Sequence, residues 1–305
     1  MQKWFYAAGL TATLALVTPA LSAQWPAFAP LNVPKGADGK PDLTAPPPRT
    51  ADGKPDLSGV WVNPGFGAAG RGLRGVPGQP AQAGRGAPGQ PVQAGRGAAP
   101  ASPDAPPSGN FGNIGAGFKD GLPFQPWAAD LRKQRTSGNS KDNPDAQCLP
   151  MGFMQFHTHP QPRKIIQTPA VTMIIYEANY GLRWIFTDGR PLPARDAEPF
   201  WYGYSVGKWE GDTLVVESRG FKDGGWLDIQ GSPYTDQLKL TERFRRLNYG
   251  TLQIDITVDD PKTYTQPWTV RVSQRLTPDQ ELIEFICNEN QMFDKYLRGD
   301  LKRKD

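Results

Sequence analysis

The feature that most constrains this chain is a change of period after Cys148. From there apolar residues recur at every second position in short runs, the spacing of strands with one buried face. The runs are Lys164–Thr168, Val171–Glu177, Leu182–Thr187, Trp201–Trp209, Thr213–Ser218, Leu238–Leu247, Thr251–Val258, Trp268–Leu276 and Glu281–Cys287. Turn chemistry separates them, as in Thr187-Asp188-Gly189-Arg190-Pro191, Glu210-Gly211-Asp212, Asn248-Tyr249-Gly250, Asp259-Asp260-Pro261 and Thr277-Pro278-Asp279-Gln280. Loops this short permit hairpins and forbid parallel crossovers, which need a dozen residues or more. The expectation is an all-β domain, an antiparallel meander of about nine strands, or ten with Ser58–Val62. Closing it into a barrel hides the edge strands; an open or two-layer sheet is the alternative.

The start of the chain carries Lys3, an apolar run from Trp4 to Val17, and small residues through Ala20-Leu21-Ser22-Ala23. That order is a secretory signal peptide, and the run is too short to span a bilayer comfortably. An uncleaved anchor is the alternative. The chain is therefore expected to be exported, periplasmic or extracellular, with no membrane span after cleavage. Its two cysteines, Cys148 and Cys287, then face an oxidising compartment, where a bridge persists. Closing so long a loop stabilises a fold by roughly 4–5 kcal/mol in the loop-entropy model.

Residues 24–57 are Pro-rich and repeat one phrase, Ala37-Asp38-Gly39-Lys40-Pro41-Asp42-Leu43 and Ala51-Asp52-Gly53-Lys54-Pro55-Asp56-Leu57. Asp-Gly and Lys-Pro steps predict two similar surface turns. A first strand is expected over 58–64. From 65 to 109 Gly and Pro make up 20 of 45 residues, a composition that cannot offset its own ordering entropy. That stretch reads as a disordered Gly/Pro/Arg insertion; an Arg-Gly segment for RNA is the sharper alternative. A linker over 110–147 holds one short amphipathic helix within 122–137. The β-domain runs over 148–298, and 299–305 is a charged tail.

Net charge does not favour nucleic acid. Of the net +4, Lys3 accounts for one and 65–109 for three, leaving zero for the rest. A neutral folded part argues against a phosphate-tracking surface.

Several motifs carry a resemblance. They are Asp52-Gly53-Lys54-Pro55-Asp56-Leu57-Ser58-Gly59-Val60-Trp61, Asp188-Gly189-Arg190-Pro191, the run Gly203 to Glu217 (GYSVGKWEGDTLVVE), and Cys287-Asn288-Glu289-Asn290. On these the chain resembles an uncharacterised family of exported bacterial proteins. The resemblance implies export and a common fold; it carries no established activity. Members often have His where this chain has Leu192 and Tyr204, so no imidazole chemistry at those positions is implied here. Gly59-x-Trp61 also resembles the opening of lipocalins, in which a Trp plugs the end of a calycin barrel.

Few residues could carry chemistry. His157 and His159 would share one face of a strand and could meet one metal, although no third ligand lies nearby in sequence; loop histidines are the alternative. Ser205 sits in a Gly-x-Ser-x-Gly spelling, but no histidine follows it, so a nucleophile elbow is not expected. Glu242 shares a face with Leu238, Leu240 and Phe244, and Glu177 ends the face of Val171, Met173 and Ile175. A carboxylate on an apolar face is either paired, here with Arg246, or has a raised pKa suited to acid/base work. Glu284 lies between Leu282 and Ile286 on one face of its run, and Ile283, Phe285 and Cys287 make the opposite face apolar too, so the pattern leaves its side open. Tyr176, Trp184, Trp209, Phe244, Arg246 and Trp268 are the candidate lining of a ligand cavity, with core packing as the alternative.

Three functions follow from this pattern. The first is an exported barrel binding a small apolar or amphipathic molecule, without a cofactor. The second is a lyase, isomerase or hydrolase using Glu242 and Glu177 in the same cavity. The third is a module for envelope assembly, which a large exposed aromatic patch without an enclosed cavity would favour.

Overall fold

A computed structural model describes residues 33–64 and 105–287. The expected signal peptide, most of the 65–109 insertion and the charged tail lie outside the described residues. Nine strands form one closed barrel in chain order. They are β1 Gly59–Val62, β2 Arg163–Gln167, β3 Val171–Tyr176, β4 Leu182–Phe186, β5 Tyr204–Glu210, β6 Thr213–Arg219, β7 Lys239–Asn248, β8 Thr251–Asp259 and β9 Trp268–Leu276. β1 closes the ring on β9 through Trp61↔Leu276 and Val62↔Arg275. Two α-helices accompany it, α1 Pro126–Ser137 and α2 Phe153–Thr158. α1 opens on Pro at its first turn and stops at Gly138, the asymmetry expected of helix ends.

Two strand expectations are corrected. A closed ring with an odd number of strands cannot alternate direction throughout, so nine strands force a parallel neighbour. It falls between β4 and β5, which share only Ile185↔Ser205 and Phe186↔Val206. The connection over 187–203 is long enough to return along the barrel, and its length was the overlooked signal. The run Glu281–Cys287 joins no ladder, and β1 closes the ring on β9 without it. It is held instead by Lys164–Glu281, by the Ile283 N–H on Glu177 Oε2 at 3.1 Å, and by the Cys148–Cys287 disulfide.

The duplicated phrase folds twice into the same turn. Gly39 N–H bonds Gly36 and Asp42 N–H bonds Pro34; likewise Gly53 N–H bonds Thr50 and Asp56 N–H bonds Pro48. The pair straps the barrel end where β7 turns into β8, with Leu43 and Ala45 accepting from Gly250 and Tyr249. Trp61 plugs that end, fully buried, with its indole N–H on Leu57 O at 3.0 Å and the Arg246 guanidinium 5.0 Å over its ring. Of the expected disordered insertion, residues 105–109 are ordered: Ser108 bridges Arg271, and Gly109 N–H bonds the Arg271 carbonyl.

The opposite end is closed by α2 and the segments around Trp226 and Asp260. Gly152 is required there, since a Cβ would stand 1.7 Å from the Trp226 carbonyl oxygen. Asp260 ties the segments together by accepting from the backbone and hydroxyl of Thr235 and the hydroxyl of Thr263.

The wall of the barrel is not uniform. β8 points Leu252, Ile254, Ile256 and Val258 inward and Gln253, Asp255 and Thr257 outward. β4 points Arg183 and Ile185 inward, while Leu182 and Trp184 stand exposed outside. On β3 Thr172, Ile174 and Tyr176 face in, and Val171, Met173 and Ile175 lie on the half-buried outer face.

Candidate functional site

The polar lumen side of β4 builds the first candidate. Arg183 donates to both oxygens of Glu242, through Nη1 to Oε1 at 3.1 Å and through Nη2 to Oε2. Its remaining N–H groups reach Ser205 Oγ at 3.1–3.2 Å and Ser218 Oγ at 3.0 Å. The ring of Phe153 covers its guanidinium at 4.1 Å. α2 delivers His157 from the barrel mouth, and its Nε2 lies 2.9 Å from Glu242 Oε1. All three side chains are buried.

Charge follows from this geometry. Burial drives His157 below its ordinary value, more strongly than Glu242 pulls it up, so its ring is neutral and donates through Nε2. Nδ1 is then a bare acceptor, without a partner among the described residues. Burial pushes Glu242 up, but the charge of Arg183 and the bond from His157 outweigh it and hold the carboxyl below its ordinary range. A carboxylate with both oxygens engaged and no exposure is a structural anion rather than a proton donor.

Arg246, the expected partner of Glu242, is at the other end, donating to Tyr249 O and Asp56 O. Arg183 was missed because its outward neighbours, Leu182 and Trp184, carry the apolar signal. The small residues Ser205 and Ser218 facing it were the available clue. Glu177 is also misplaced by the sequence reading. It lies past the end of β3, on the rim against Ile283. Glu284 is exposed.

His157 and His159 do not share a strand face. The first ends in the lumen, whereas the second caps α2, packs on Phe111 at 4.6 Å and accepts from Gln161 N–H through Nδ1. Among the described residues no three His, Cys, Asp or Glu side chains converge as metal ligands. The metal reading therefore loses its geometry.

The expected ligand lining is divided. Tyr176, Phe244, Arg246 and Trp268 point inward and are packed into the core, with Trp209 partly buried against it. Trp184 is outside, 45% exposed. The interior these residues would line is filled by their own side chains. The two best-formed depressions among the described residues lie at the rim, one of about 190 Å³ beside Glu177, Tyr180 and Ile283, one of about 170 Å³ beside the disulfide. Both fall short of the roughly 300 Å³ at which small-molecule sites begin.

The second candidate is the outer face over β2 to β5. Cross-strand neighbours there are Ile166 and Met173, Met173 and Trp184, Ile175 and Leu182, Val171 and Phe186, Phe186 and Val206. Phe186 and Tyr204 stack at 5.2 Å, with Arg190 over Phe186 at 3.8 Å. Of the ten large apolar residues exposed among the described ones, Leu182 and Trp184 lie on this face, Phe200 lies 6.0 Å from Tyr204, and Tyr180 and Ile283 share a depression with Ile175. Fold and face together define a closed nine-stranded β-barrel with a packed interior and one apolar outer wall. No protein-family model, no curated protein and no solved structure matches this chain.

Proposed function

We propose that the protein is an exported docking module of the bacterial envelope, which holds a partner polypeptide against the outer face of β2 to β5. The observation that carries this reading is the outer face of β3 and β4, where Leu182 and Trp184 stand exposed beside Met173 and Ile175, although the same strands bury Ile174, Tyr176, Arg183 and Ile185 inside. Contiguous apolar surface rimmed by polar residues marks an interaction site, and aromatic anchors dominate such interfaces. The packed lumen and the structural role of Glu242 weigh against the small-ligand and acid/base readings. The motif resemblance and the disulfide support the exported setting.

A photo-crosslinking side chain at position 184, compared with one at position 271 on the polar wall, tests this in cells of the host. The expected result is a discrete polypeptide adduct from 184 and none from 271. Equal labelling from both, or none from 184, overturns the reading. In the purified complex, Trp184→Ser is expected to cost about 2 kcal/mol of binding with little change in melting temperature.

A further inference from the structure

Resting on that reading, we infer that the partner presents an extended segment with two bulky apolar side chains, which enter the two rim depressions astride Tyr180, and a basic residue next to them. The depressions, of about 190 and 170 Å³, are too small for a ligand molecule, yet each suits one large side chain. Ile175 joins them to the docking face, since it lines the first and pairs with Leu182 across β3 and β4.

The turn between β3 and β4 and the run after β9 build both depressions. Tyr176, Tyr180, Leu282 and Ile283 line the first, and Tyr180, Phe285, Ile286 and the disulfide line the second. Tyr180 belongs to both, so the two anchors lie about one ring apart. Alternate side chains on one face of an extended chain span such a gap, at about 7 Å. Tyr180, Ile283 and Ile286 are large apolar residues left exposed here, the material of an interface anchor.

The backbone at this place is strained. Asn179 and Tyr180 lie in the left-handed region, at φ 51° and 48°, and so does Cys148 at 53°. Asparagine tolerates that conformation, but a bulky tyrosine does not. The Tyr180 ring is 52% exposed, so packing does not offset the strain. Strain of this kind gathers where a ligand or partner is clamped. Charge sets the third feature of the segment. Glu177 and Glu284 line the first depression, and Glu284 is exposed and ion-paired to no cation among the described residues. Lys164, on β2, is taken by Glu281 at 2.5 Å. The segment therefore carries lysine or arginine beside its anchors rather than a carboxylate.

Amide chemical shifts of the full chain test the inference, using as probe a capped tetrapeptide of leucine, serine, phenylalanine and lysine in that order. Saturable shifts are expected at Tyr180, Ile283 and Ile286 on one titration curve. Copies with alanine for leucine or for phenylalanine bind roughly tenfold more weakly. A copy with glutamate for lysine binds roughly threefold more weakly, at low salt only. Tyr180→Gly raises the melting temperature by about 2 °C, because glycine is free in the left-handed region, and lowers peptide affinity roughly tenfold. No saturable shift at these residues, or an alanine or glutamate copy that binds as well as the parent at low salt, overturns the inference. So does a Tyr180→Gly variant that binds unchanged, or one that melts lower, which would make the ring a packing element. Shifts at the same residues that grow with protein concentration in the absence of peptide assign the depressions to a second copy and overturn it too. An adduct from position 184 without shifts at the rim leaves the docking face standing and removes only the anchors. Shifts at the rim without that adduct keep the peptide site and remove the wider face.

Discussion

The two halves of the barrel wall share one apolar interior and differ in what they turn outward. β8 and β9 put aliphatic residues inside and ladders such as Arg245–Asp255–Arg271 and Thr257–Thr269 outside. β3 and β4 put Thr172 and Arg183 inside beside Ile174, Tyr176 and Ile185, and turn Met173, Leu182 and Trp184 outward. The first arrangement needs only water as a neighbour. The second is stable only because the lumen supplies a complete set of partners for its buried charge, and its apolar exterior is left for something else to cover. Stability thus resides in one wall and recognition in the other.

The sharpest way to break this comparison is to remove the charge that the second wall hides. Arg183→Met leaves Glu242 as a buried anion with only His157 to bond it, and is expected to destabilise the fold by about 3–5 kcal/mol. Ile256→Val, at the lumen side of β8, should cost only about 1 kcal/mol. Chemical denaturation of both variants measures the ratio. Equal losses would mean that the lumen network is not what holds β4 with its apolar face outward.

Acid probes the same network more gently. Burial holds both histidines below the ordinary imidazole value, with the neighbouring Arg163 lowering His159 further, to about 3. Below pH 6.5 the unfolded chain takes up protons that the folded imidazoles refuse, so stability falls as the pH drops from 6.5 towards the folded values. His159 alone accounts for a loss of about 3 kcal/mol at pH 4. Glu242, held low by Arg183, adds a further loss only below its ordinary value of 4.5, in the same direction. Melting temperatures across this range should decline, and His159→Gln should flatten the part above pH 4.5. An unchanged profile in that variant would show that the imidazole is not excluded from solvent as its place against Phe111 implies.

The same difference explains what the sequence disclosed. Alternation in β2 to β9 and the paired turns at Gly39 and Gly53 were legible because each is a local rule of spacing or turn chemistry, whereas the Cys148–Cys287 bridge came from the expected export and the Trp61 plug from the likeness to lipocalins. Alternation does not say which face is inside, however, and hydrophobicity gave the wrong answer at Trp184 and at Val171, Met173 and Ile175. The partner of Glu242 was illegible for the same reason: Arg246 is four residues away on its strand, whereas Arg183 comes from across the ring. Parity of strand number was the unused global clue, since nine closed strands require the parallel seam at β4 and β5 whatever their composition.

The smallest expected effect lies on the polar wall and separates burial from mere pairing. Asp255 accepts from Arg271 Nε at 2.6 Å and from Arg245 Nη2 at 2.5 Å, a pairing as close as that of Glu242. Its side chain is 13% exposed and its two arginines more so, at 22% and 36%, whereas Glu242 has no exposure. Water therefore screens the first pair and not the second, and Asp255→Asn is expected to cost below about 1 kcal/mol. Salt should shrink that loss further while leaving the Arg183→Met loss unchanged. Measuring both variants at low and high salt compares the walls with the chemistry of the ion pair held constant. A large, salt-independent loss at Asp255 would place essential ionic contacts on both walls and end the division between a wall that stabilises and a wall that binds.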